Sequence, residues 1–306
     1  MSSKSSFGYS TLKILVVFLS AVALFFINGC GRNKVPDQFQ FNKLPKAQED
    51  PLIIGQVPSR SVVEILDQKR QFVAELTNEL GRDVQMRFAN SYGDILNRMK
   101  HSRYDLVFLG PLSYVKAVDQ GAPYHPLVQP QRFGKTTYRS MIITHRDSSI
   151  RSVDDLRNRT MAFVDPLSTS GYLIPKILLK SQYGINISTD LRRSAFVGGH
   201  DQVVRAVYNR TFDAGAVFVD ARNIVKDIPK ESFRILVKSD PIPSEPIAVR
   251  NTLDKDTTKK LRNFFLRLHK SPEILEKLGD DIQQFRPSSD TVYERIRKLR
   301  KGARKK

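Results

Sequence analysis

Short apolar stretches alternate with helical patterns along most of this chain, and that alternation constrains its fold more than any other feature. Leu52-Ile53-Ile54-Gly55-Gln56-Val57 reads as a buried strand closed by Pro58. Val63, Leu66, Val73, Leu76 and Leu80 then recur at helical spacing, and Gly81 suits the left-handed end of that helix. Val84, Met86 and Phe88 alternate as a strand, and Ile95, Leu96 and Met99 mark a short helix. Residues 106–109 form another apolar strand, stopped by Gly110-Pro111, and Tyr114, Ala117 and Val118 share a face of the next helix. A second series begins near Tyr138, with strands expected at 141–143, 161–164, 195–197, 214–219 and 235–237. Helices are expected at 171–183 and from His200. One more strand at 247–249 precedes helices at 257–269, 272–278 and 291–301. This order predicts α/β architecture with mainly parallel sheets flanked by helices. Two series of similar size in 306 residues predict two lobes. Ligands of such sheets bind beyond the carboxyl ends of the strands, which here means the cleft between the lobes.

The first thirty residues read as an export signal. Lys4 and Lys13 precede an apolar run at 14–27, which is short for a membrane-spanning helix of about 20 residues. Ile27-Asn28-Gly29-Cys30 resembles the lipobox of bacterial lipoproteins. Cys30 is the only cysteine, so no internal disulfide can form. Its position fits lipidation of the mature N-terminus, with a free thiol in a membrane anchor as the plainer alternative. Residues 31–49 read as a polar tether.

The charge balance is strongly basic, with 50 Lys and Arg against 31 Asp and Glu, a net +19. Such a surface attracts anions. Residues 295–306 carry eight basic side chains, a solvated helix end or a contact for anionic lipid. Nucleic acid does not suit an exported chain. The five histidines are scattered, and no Walker loop, nucleophile elbow or metal-type spacing occurs, so neither a metal, a cofactor nor an enzyme is expected.

The densest local feature is Val164-Asp165-Pro166-Leu167-Ser168-Thr169-Ser170-Gly171-Tyr172. A strand ends, a turn follows and a helix begins. Ser168 is a good N-cap, and three hydroxyls stand beside backbone N–H groups that lack partners within the helix. The run is either a capped helix start or an oxyanion cradle. Gly198-Gly199-His200-Asp201 repeats the theme: His200 can donate to an anion at a helix mouth, or Asp201 caps the helix and His200 is exposed. Tyr92 is placed in a loop after the second strand, with its hydroxyl toward a cleft or its ring at a lobe edge. Asp220 and Glu245 stand at strand-end or linker positions, where a carboxylate can hold an ammonium group or take a proton from an oxyanion, or simply face solvent.

These residues give the chain its resemblance to a known family. Tyr104-Asp105-Leu106-Val107-Phe108-Leu109-Gly110-Pro111-Leu112-Ser113-Tyr114, Asp165 to Pro175, Gly198-Gly199-His200-Asp201 and Pro241-Ile242-Pro243-Ser244-Glu245-Pro246-Ile247 follow one another as in the periplasmic phosphonate-binding family of ABC importers, which includes phosphite- and phosphate-binding relatives. The resemblance spans about residues 52–289. It implies a type II periplasmic-binding-protein fold with crossings near 137–142 and 238–243. Lobe one would hold residues 51–139 and 241–306, and lobe two residues 140–240. It implies Ser168, Thr169, Ser170, Tyr92 and His200 around a phosphorus oxyanion head, with Glu245 near the second crossing and Asp220 at the acidic position that contacts the amine in aminoalkylphosphonate binders. Some relatives carry a tyrosine where this chain has Leu109. The partners implied are an ABC permease and the membrane through a lipid anchor, for a monomer on the periplasmic side or cell surface. A sensing subunit that presents the anion to a membrane receptor or kinase is the alternative.

Overall fold

The computed structural model describes residues 50–304 except Asp220 and Asp280. The signal segment, Cys30, the tether and Asp220 therefore lie outside the described residues. The first run of elements is β1 (Leu52–Gln56), α1 (Val62–Leu80), β2 (Val84–Phe88), α2 (Tyr92–Lys100), β3 (Leu106–Phe108), α3 (Pro111–Asp119) and β4 (Tyr124–Arg132). A two-residue strand, β5 (Thr137–Tyr138), leads into β6 (Ser140–His145), β7 (Thr160–Phe163), α4 (Ile174–Tyr183), β8 (Arg193–Phe196), α5 (His200–Tyr208), β9 (Ala214–Phe218) and β10 (Phe233–Lys238). The chain then returns through β11 (Ile242–Pro243) to β12 (Ile247–Arg250), α6 (Lys255–Arg267), α7 (Pro272–Leu278), β13 (Ile282–Pro287) and α8 (Glu294–Arg304).

Two sheets result, ordered β13-β4-β12-β3-β1-β2 and β10-β6-β9-β7-β8. Both are mixed where the sequence predicts mainly parallel pairing. β1, β2 and β3 are mutually parallel, as are β7, β8 and β9. Two of the reversed strands have a topological cause. β12 and β6 each receive the chain from the other sheet, so they enter at the end where β3 and β9 finish and run antiparallel to them. The passing segments pair with each other as β5 and β11, Tyr138 opposite Ile242.

Two of the longer strands escape sequence reading. β4 holds Pro126 and Pro130, residues that argue against an interior strand because they cannot donate to a ladder. Here the ladders beside it absorb the defect through register shifts, at Ile247/Ala248 in β12 and Ile282/Gln284 in β13. β13 itself is too polar to read as buried.

The inward face of α1 is also rotated from the sequence reading. Val63 and Leu66 are 76% and 45% exposed, whereas Ile65, Lys69, Phe72 and Leu76 point inward. Phe72 decides the rotation by packing on Phe108, Phe264 and Phe265 at centroid distances of 5.7–5.9 Å. The basic C-terminal helix is partly consumed by the fold. Arg297 pairs with Asp119, Asp290 and Glu294, and Arg300 with Asp119, which fixes α8 to α3.

Candidate functional site

The lobes meet directly. The Leu112 N–H at the start of α3 donates to Thr169 Oγ1 at 2.8 Å, and Ser113 Oγ donates to the Leu167 carbonyl at 3.0 Å. The His200 N–H donates to the Ser59 carbonyl at 2.9 Å. Between these contacts lies a cleft of about 500 Å³, lined from both sheets.

Its hydroxyl end is built on the turn after β7. Residues 169–173 form a π-helical turn, with the N–H of Leu173 donating to Ser168 O and that of Ile174 to Thr169 O. Ser168 Oγ accepts from the Gly171 N–H at 3.0 Å. It is thus the cap that the sequence suggests, and its proton is still left to donate. Gly171 is required by a close approach, since a Cβ there would lie 2.3 Å from Val164 Cγ2. Ser140 Oγ holds the Ser170 carbonyl at 2.6 Å, tying the turn to the crossing segment.

Two tyrosines face this turn. Tyr92 is buried, with its phenol beside Ser168. It is the first residue of α2 rather than a loop residue, because Ser91 caps that helix by accepting from the Asp94 N–H. Tyr138 in β5 lies beside Ser170 and Thr169. Burial, then nearby carboxylates (Asp165 for Tyr92, Glu245 for Tyr138), push both phenols well above the usual tyrosine range, so both are donors at neutral pH.

His200 opens α5 with Gly199 as N-cap, and Asp201 makes no cap bond there. The imidazole is 5% exposed and packs edge-on against Phe218 at 4.7 Å. Burial lowers its pKa from 6.5 to about 3. It therefore stands as a neutral ring with one donor and one acceptor. Its buried Nδ1 has no protein partner.

Glu245 also lines the cleft, but its carboxylate is bound in a fork by Arg132 at 2.6 and 3.3 Å. Tyr92, Ser168, Thr169, Ser170, His200 and Glu245 thus share one cleft. The sequence reading did not include Tyr138, Arg132 or Lys69 among its site residues. Lys69 could have been found, because a lysine four residues after Ile65 and three before Phe72 interrupts an apolar stripe. Tyr138 and Arg132 carry no such signal, since only the crossing of the chain brings them to the cleft.

Two α/β lobes, joined by paired crossings and closed on a hydroxyl-lined cleft, define a type II periplasmic-binding-protein fold. The chain belongs to the ABC transporter, phosphonate, periplasmic substrate-binding protein family, whose model matches residues 54–293. It is 31% identical to the phosphonates-binding periplasmic protein of Escherichia coli over 264 residues, 82% of this chain and 76% of that one. It is 28% identical to the phosphate-import protein PhnD of Mycolicibacterium smegmatis, covering 71% of each. In structure it superposes on PhnD1 of Prochlorococcus marinus in complex with methylphosphonate with a TM-score of 0.74, at 23% identity, covering 83% of this chain and 98% of that one.

Proposed function

We propose that this protein captures a phosphonate or related phosphorus oxyanion in the cleft and presents it, chemically unchanged, to an ABC permease. The observation that carries this reading is the convergence of Ser168, Thr169 and Ser170 with Tyr92 and Tyr138 on one cavity wall. Neutral donors suit an anion there, since hydroxyl and amide hydrogen bonds can replace its hydration shell. The neutral His200 ring adds an acceptor that a singly protonated oxyanion needs. Ser168, Thr169, Ser170, Tyr92 and His200 are the head-group residues in this reading. Glu245 acts through Arg132. Lipidation at Cys30 and a monomeric state belong to the same proposal, as do lobes of residues 51–139 with 241–306 and of residues 140–240.

Titration calorimetry with methylphosphonate tests it. Ser168→Ala with Thr169→Ala is expected to lower affinity by about 100-fold or more, since each hydrogen bond to a charged group contributes about 1.5–3 kcal/mol. Unchanged affinity in a variant with native circular dichroism would overturn the assignment.

A further inference from the structure

The cleft extends well past the hydroxyl turn. Tyr138 marks the boundary, with Thr169 and Ser170 on one side and the Glu245 carboxylate on the other. Beyond it stand Lys69, Gln56, Phe108, Arg60 and Arg132. About 500 Å³ falls in the range of pockets that bury drug-sized ligands, well beyond one tetrahedral group.

Lys69 is the unusual member of this end. It projects from the inward stripe of α1 and is 5% exposed. Its Nζ donates to Gln56 Oε1 at 2.7 Å and lies 3.6 Å from the centroid of the Phe108 ring. Both neighbours are uncharged, and a buried ammonium is costly unless an anion meets it. The carboxylate that Lys69 senses, Glu245, is already held by Arg132, and Arg60 adds a second positive charge. A ligand ammonium at this end would face three cations, with Glu245 already engaged and Asp281 the other described carboxylate of the cleft lining.

We infer that the ligand carries a second anionic group on a short chain, by class a carboxyalkylphosphonate, and that Lys69 Nζ receives that group. This rests on the function proposed above. Burial and then the Arg60 charge lower Lys69 to about 7, so the empty cleft holds it partly protonated near neutral pH, and an arriving carboxylate draws the proton on.

Calorimetry on the full chain at pH 6.5 would compare methylphosphonate, 3-phosphonopropionate and 2-aminoethylphosphonate. The carboxylate ligand is expected to bind at least ~10-fold more tightly than the other two, the gain of one charge-assisted contact. Lys69→Met keeps the unbranched stem and should bring 3-phosphonopropionate to within about two-fold of methylphosphonate measured on the same variant. Lys69→Gln gives a polar control, and thermal unfolding checks that both variants are native. Tighter binding of the aminoethyl ligand, equal weakening of all three ligands by Lys69→Met, or a carboxylate preference that survives it would each overturn the inference. If methylphosphonate itself fails to bind the unaltered protein, the phosphorus reading falls and this inference falls with it.

Discussion

Lys69 and His200 show how burial, joined at Lys69 by the Arg60 charge, sets the charge state of a residue in this cleft. Lys69 drops from 10.5 to about 7 on folding. Between those values the unfolded chain holds a proton that the folded chain has released, so stability rises with pH across that window. Lys69→Met is therefore expected to raise the melting temperature at pH 6, by a margin that shrinks as pH approaches 10; calorimetric scans at several pH values check this. His200 moves the same way, from 6.5 to about 3, and so costs stability as pH falls through that range. Replacing it with Gln should flatten acid unfolding between pH 6 and pH 4, followed by circular dichroism. Neither shift was legible in the sequence, because a titrating side chain reports nothing of its surroundings until the fold encloses it. The Arg132–Glu245 fork is a similar case: its partners are 113 residues apart, and the pair turns a carboxylate that looked open to an amine into one already engaged.

At the scale of elements, the turn after β7 was the most legible part of the site. Strand, hydroxyls and glycine in succession sufficed to mark a capped helix start. Its π-helical form was not legible, since hydrogen bonds spanning five residues depend on how Gly171 packs against Val164. Gly171→Ala would press a methyl onto Val164 and onto Ser168 Oγ, 2.8 Å away. It is expected to cost about 1–3 kcal/mol of stability by overpacking and to displace the Ser168 hydroxyl. Urea unfolding and methylphosphonate titration would read the two effects separately. β4 was missed for the opposite reason: its prolines speak against a strand, and only partners with shifted registers accommodate them.

For the whole molecule, the bonds between the lobes matter most. Ser113 is fully buried, and its hydroxyl ties α3 to the Leu167 carbonyl without lying on the cleft wall. Ser113→Ala leaves that carbonyl unpaired in the closed form, at a cost of about 1–3 kcal/mol. The population is expected to shift toward open lobes, with a larger radius of gyration in ligand-free solution scattering and affinity lowered about five-fold or more. The net charge of +19 acts over a longer range. The association rate of an anionic ligand should fall steeply as salt rises from 10 to 300 mM, with little change in dissociation rate, as stopped-flow mixing would record.

The alternation of strands and helices, the positions of most elements and the hydroxyl-rich turn follow from local pattern, because periodicity and capping act over a few residues. The direction of the returning strands, the rotation of α1 that buries Lys69, and the meeting of Tyr138, Arg132 and Glu245 were decided only by tertiary structure. Each depends on where the chain crosses between lobes, which brings together groups that no local rule relates.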